Sequence, residues 1–167
     1  MTITQERLRE LLTYDPETGG FKWCLTMGKA ISGCVAGSRK SNGYLRIGIE
    51  GKLYASHRLA WLYQYGELPS GFIDHINGHR SDNRISNLRL ATRTENNRNS
   101  GMRSDNTSDI KGVSWDAQNK RWRAQIWQAG KVVYMQNFTD KNEARIAVER
   151  KRIEFHGEFA NHGGKLS

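Results

Sequence analysis

The sequence predicts an α+β protein made of small modules, and three observations carry that prediction. A hydrophobic share of 37% over 167 residues is low for a single well-filled core, whereas a module of about 60 residues buries only about 60% of its unfolded surface and manages with a thin one. The middle of the chain reads as strand, long polar loop, strand, helix. The last third reads as three strands followed by one amphipathic helix, the pattern of a three-stranded antiparallel sheet packed on a helix. Aromatic residues at 10% and charged residues at 26% are too well mixed for a disordered chain.

Residues 1–55 read as a β-rich segment packed against the module that follows. Thr4 stands where a helix cap belongs, ahead of Leu8, Leu11 and Leu12 at helical spacing. Tyr14-Asp-Pro-Glu-Thr-Gly-Gly is turn chemistry leading into a strand at Phe21-Lys-Trp23. Leu45, Ile47 and Ile49 alternate with Tyr44, Arg46 and Gly48, and Glu50-Gly51-Lys52 turns that strand back into Leu53-Tyr54-Ala55. Leu59, Ala60, Leu62 and Tyr63 mark a short helix from Ser56 to Tyr65, stopped by Gly66 and Pro69.

Residues 71–110 hold seven of the chain's twelve asparagines, a density that favours loop because Asn caps turns and tolerates left-handed backbone. Phe72-Ile73 and Leu88-Arg89-Leu90 flank that loop as short strands, and Thr92 or Thr94 can cap a helix through Glu95, Asn96 and Asn97. Residues 101–110 are polar and nearly core-free, the composition of a linker. Strands follow at 113–115, 121–128 and 132–138, separated by Asn119-Lys120 and Ala129-Gly130. The closing helix, 140–156, places Ala144, Ala147, Val148 and Phe155 on one face and the basic Lys141, Arg145 and Arg152 on its surface.

The formal net charge of +9 splits as +3 over residues 1–70, +1 over 71–110 and +5 over 111–167. That balance is the electrostatic footprint of a nucleic-acid binder. Two cysteines, Cys24 and Cys34, allow neither a disulfide framework nor a four-cysteine zinc site, and read as small buried thiols. With no membrane-length apolar run and no secretory character at the start, the expected setting is a reducing one, the cytoplasm.

The chemistry concentrates in Ile73-Asp74-His75-Ile76-Asn77-Gly78-His79-Arg80, then Asp82-Asn83-Arg84, Ser86-Asn87-Leu88-Arg89 and Asn96. Asp74 offers a hard oxygen ligand and His75 a base that titrates near neutrality. Adjacent strand residues point to opposite sides, but at a strand end the backbone can turn both inward. Asn96 can add a neutral oxygen from the following helix.

From Ala55 to Asn99 this stretch resembles the HNH endonuclease family, in its phage and intron-homing branch with Asn as the third motif residue. The resemblance implies a ββα-metal fold around one divalent ion, magnesium or manganese. It implies Asp74 and Asn96 as metal ligands, His75 as general base, and Asn87 as the residue steadying the His-bearing loop. No role follows for His57, Asn83 reads as a loop-structuring residue, and His79 either as a contact to the scissile phosphate or as solvated loop. Without a CxxC pair the zinc-stapled variety is excluded. The nuclease module is thus expected at 56–100, with a linker at 101–110.

In Arg121-Trp122-Arg123-Ala124-Gln125-Ile126-Trp127, Trp122, Ala124 and Ile126 share a core face, while Arg121, Arg123, Gln125 and Trp127 share the other. Cations, an amide and an indole suit phosphates and base edges. Residues 111–161 resemble the ethylene-response-factor type of DNA-binding domain, through Lys111-Gly112-Val113, the Arg121-Trp122 strand, Phe138 and the Ala-rich helix. That resemblance implies that Lys111, Ser114, Arg121, Arg123, Gln125, Trp127 and Tyr134 face double-stranded DNA. Gln125 and Trp127 stand where plant members usually have an acid and an Arg, so no target sequence carries over. The expected protein is a homing endonuclease of a phage or mobile element, monomeric on DNA with a dimer not excluded. A non-catalytic DNA-binding regulator and a weakly specific nuclease are the alternatives.

Overall fold

Thr4 caps the first helix. In the computed structural model, which describes residues 3–163, its hydroxyl oxygen accepts from the Arg7 N–H at 3.2 Å and opens α1 (Gln5–Leu11). The chain forms two units, Met1–Thr92 and Arg93–Ser167.

In the first unit, α1 passes without a loop into a hairpin of β1 (Leu12–Asp15) and β2 (Gly20–Trp23). Leu12, expected in the helix, instead begins the strand, because its backbone is already extended. A second sheet runs β3 (Ser38–Arg39), β4 (Leu45–Ile49), β5 (Lys52–Ala55). β5 leads straight into α2 (Ser56–Tyr65), which closes on Gly66 in the left-handed region at φ 84°. A third, antiparallel pair joins β6 (Phe72–His75) to β7 (Leu88–Ala91).

All three pieces share one core. Leu8, Leu11, Leu12, Phe21, Ile47, Leu59 and Leu62 are buried together with Ile73 and Leu88 of the β6–β7 pair. Burying each Leu contributes about 1.5–3 kcal/mol relative to exposure, so residues 1–55 and the pair that carries Asp-His stabilise each other. Cys24 and Cys34 are free; Cys34 is exposed and Cys24 only half-buried, correcting the expectation of buried thiols, because both lie in the irregular stretch after β2.

The second unit contains α3 (Arg93–Arg98), a sheet in the order β10 (Lys131–Phe138), β9 (Arg121–Gln128), β8 (Val113–Asp116), and α4 (Lys141–His156). Asp140 caps α4, accepting from the N–H groups of Asn142 and Glu143. The core here is thin and made of small side chains, Val113, Ala124, Ile126, Ala144 and Val148. Within the stretch expected as a linker, Ser108 is buried and its hydroxyl donates to the Val113 carbonyl at 2.6 Å. Among the described residues no helix is long and apolar enough to cross a membrane.

Two features of this unit depart from the sequence reading. A bulge between Val132 and Tyr134 shifts the register of β10 by one residue, so Val132 pairs with Trp127 but Tyr134 pairs with Ile126. A one-residue slip turns a side chain to the other face; Tyr134 therefore packs on the core and not on the face expected to meet DNA. On α4 the buried stripe continues from Ala144 and Val148 to Arg152 and His156 at four-residue spacing. Arg152, expected on the basic surface of the helix, is 2% exposed.

Candidate functional site

Asp74 and His75 end β6, and each is only 4% exposed. Cross-strand register sets Asp74 opposite Arg89, whose Nε donates to Asp74 Oδ2 at 2.9 Å while Nη2 lies equally close. His75 Nε2 lies 3.1 Å from Asn83 Oδ1. An amide oxygen only accepts, so Nε2 carries the proton and, in the neutral ring, Nδ1 holds the lone pair. Burial lowers the pKa of His75, which keeps the ring neutral at neutral pH.

The loop between β6 and β7 is held by asparagines. Asn87 Nδ2 donates to Asn77 Oδ1 at 3.0 Å and to the Asp82 carbonyl at 2.8 Å, while its Oδ1 accepts from the Asn77 N–H at 3.0 Å. Arg84 and Asn77 bond the Asp82 carboxylate and, Arg84 foremost, hold it down at about 2. Asn83 is fully buried, and its carbonyl accepts from the Tyr14 hydroxyl at 2.7 Å. Gly19, in the β1–β2 turn at φ 72°, lies so close to this point that a Cβ there would stand 2.4 Å from Arg84 N. Only glycine combines that backbone angle with that approach. The N-terminal hairpin thus braces the residue that orients His75.

A second imidazole stands beside the first. The His57 and His75 rings are 5.2 Å apart in edge-to-face contact, and Tyr44 packs on both at 5.4 and 5.9 Å. Arg80 lies over the Tyr44 ring at 5.2 Å. His57 Nδ1 is buried without a hydrogen-bond partner, and burial, then the nearby His75, push its pKa down to about 4. Sequence reasoning gave His57 no role, and no local pattern could have supplied one, because the contact exists only once α2 is set beside β6. His79 is half-buried, and its backbone N–H donates to Asn77 Oδ1 at 2.8 Å.

The first unit therefore brings Asp74, His75 and Asn87 together. Asn96, the other residue expected to hold metal, is a half-buried member of α3 in the second unit. Among the described residues no three His, Cys, Asp or Glu side chains cluster as a cation site. The buried Asp74 carboxylate is a hard oxygen donor of the kind a divalent ion takes.

On the sheet of the second unit, Arg121 and Trp127 are exposed on one face, Trp127 by 57%, with Arg123 and Gln125 partly exposed beside them and Ser114 exposed on β8. Arg123 is not loose: its guanidinium is paired with Asp116. Lys111, expected to face DNA, instead turns its Nζ to the carbonyls of Arg98 at 3.2 Å and Ser100 at 2.5 Å. Those groups lie at the last residue of α3 and just past it, where unsatisfied carbonyls attract a cation.

A buried Asp-His pair closing one strand of a hairpin, with an Asn-braced loop between the strands, is the arrangement of an HNH nuclease, and residues 54–98 match the family model described as HNH endonuclease. The chain carries that domain. It belongs to the same family as Protein 3.8 of Escherichia phage T7, to which it is 36% identical over 107 residues, covering 62% of this chain and 86% of that protein. No solved structure matches it significantly.

Proposed function

We propose that the chain is a site-directed endonuclease of double-stranded DNA, of the homing type carried by phages and other mobile elements. His75 acts as general base: Nδ1 takes a proton from water as the water oxygen attacks phosphorus, the bond to the 3′ oxygen breaks, and the leaving 3′ oxygen takes a proton from solvent. The products are a 5′-phosphate and a 3′-hydroxyl. Asp74 would hold the divalent ion, Mg2+ or Mn2+, with Asn96 as the second ligand that the family resemblance implies, and the bound ion would supply charge neutralisation at the reacting phosphate. Asn83 keeps the proton on Nε2, and Asn87 keeps the loop in place. The sheet face of Arg121, Arg123, Gln125 and Trp127, with Ser114, contributes binding and register, as in an ethylene-response-factor-type domain. The enzyme works as a monomer on DNA in the host cytoplasm.

The observation that carries this reading is the buried His75 ring, whose protonated nitrogen is fixed on Asn83 Oδ1. A general base contributes about 10²–10⁴-fold to such a reaction. Incubation of the full chain with supercoiled plasmid carrying phage loci tests it. Magnesium-dependent nicked or linear product with discrete ends is expected, and a smear would support the weakly specific alternative. One observation favours a non-catalytic DNA-binding regulator: the Asp74 carboxylate is already paired with Arg89. Specific binding without cleavage in Mg2+ or Mn2+ would establish that reading instead.

A further inference from the structure

A cation cluster in the second unit lies beside the sheet face, not on it. β8 pairs with β9 only as far as Ala124, and beyond it the Gly112 carbonyl accepts from the Gln125 N–H. Where β8 is missing, a cleft of about 450 Å³ opens along the edge of β9, lined by Arg98, Lys111, Gly112, Trp127, Arg152 and His156 among others.

Among the described residues, the hydrogen bonds that hold the cations of this cleft come from uncharged groups. Arg152 donates from Nη2 to the Lys111 carbonyl at 2.6 Å, and its Nη1 lies 3.2 Å from His162 Nδ1. Lys111 Nζ donates to two backbone carbonyls. Arg98 Nε is buried without a hydrogen-bond partner, as are both ring nitrogens of His156, a residue 9% exposed. The carboxylate whose charge acts on Arg152 is Glu149, one turn back on α4, and it does not line the cleft. Burial and the Arg152 charge together lower the pKa of Lys111 to about 8. Like charges gathered out of water with orphaned donors call for a missing acceptor.

We propose that this cleft is a phosphate site and that it takes a phosphodiester of the DNA backbone, with the adjoining sugar against Trp127. Guanidinium groups and a fixed ammonium are the donors that recognise phosphate oxygens. The backbone is the source because Trp127 and Gln125 belong both to the cleft and to the face proposed to meet DNA. The choice of DNA rests on that reading; the anion chemistry does not.

The test uses the full chain in EDTA, so that cleavage plays no part. Inorganic phosphate is titrated while the backbone amide resonances of Gly112 and Trp127 are followed, in the native chain, in Arg98→Gln and in His156→Gln. Arg98 is partly exposed at a helix end, and thermal melts verify that both variants fold. Saturable shifts that weaken at least about fivefold in the variants are expected. Absence of saturable shifts, or shifts equal in all three proteins, overturns the site. In a second arm, duplex binding is measured against salt. One lost phosphate contact flattens the log-affinity versus log-salt slope by about 0.9, and that change is expected in Arg98→Gln. Saturable phosphate binding with an unchanged slope overturns the assignment to the DNA backbone and leaves free phosphate as the ligand. A chain that never cuts DNA leaves both arms readable.

Discussion

The Asp-His site of the first unit and the sheet face of the second treat their polar groups in opposite ways. In the first, the imidazole that matters is buried and its protonated nitrogen is bonded to an asparagine, which is itself held by a tyrosine hydroxyl from another hairpin. In the second, Arg121 and Trp127 stand in the open over a core of small side chains. On the proposed function, the difference is what each task needs. A base must hold one atom in one place, so neighbours brace it and the cost of burial is met by hydrogen bonds. A surface that meets a charged polymer gains from accessible cations and long-range attraction, and tolerates imprecision.

The sharpest way to break this comparison is to remove the base. His75→Ala should lower plasmid cleavage by about 10²–10⁴-fold while gel-shift affinity stays within a few-fold of native. Near-native cleavage would sink the assignment. Asn83→Ala comes next, at about 10- to 100-fold in turnover, the range seen for partners that orient a functional imidazole. Asn83→Asp keeps an acceptor for Nε2–H and should recover part of that loss in kcat; equal kcat for the two variants would show that Asn83 only fills space.

Gly112→Ala should destabilise the second unit by about 1–3 kcal/mol, since the backbone is at φ 77° and the new Cβ would lie 2.7 Å from the Gln125 carbonyl. A thermal melt indistinguishable from native would contradict that packing. Acid should act on both units, because burial holds His156 of the second at about 4, as it does His57 of the first. His57 titrates near 6.5 when unfolded and at about 4 when folded, so between those values only the unfolded chain takes up the proton, and stability falls as pH drops through that window. The loss by pH 5 is on the order of 1–2 kcal/mol. The difference between urea midpoints at pH 7 and 5 should shrink in His57→Phe, the remainder belonging to His156 and the other buried imidazoles, and an unchanged difference would assign the effect elsewhere. The smallest effect belongs to the sheet: Arg121→Ala should flatten the salt slope of duplex binding by about 0.9, whereas Trp127→Ala should weaken binding with the slope unchanged.

Much of this architecture is written in local pattern. The Thr4 cap, the span of α2 from Ser56 to Gly66 and the two faces of β9 each follow from signals a few residues long. The order Asp-His, Asn-Gly, Asn-Leu was enough to mark the loop that the structure closes through Asn77 and Asn87. What escaped depends on register or on distant packing. The bulge that turns Tyr134 inward is one extra residue in a strand with no glycine to announce it. Arg152 is inside because the buried stripe of α4 continues past Val148, a direction that charge alone argues against. His57 reaches His75 only through tertiary contact.

The close approach of Gly19 to the Asn83–Arg84 backbone, with Tyr14 on the Asn83 carbonyl, sets a limit on how this domain can be transplanted. A fusion engineer guided by the matched stretch, 54–98, would excise His75 and leave its scaffolding behind. The graft that preserves the orientation of His75 has to start ahead of the Thr4 cap and include the β1–β2 turn, so the smallest portable piece of this design is about twice as long as its motif suggests.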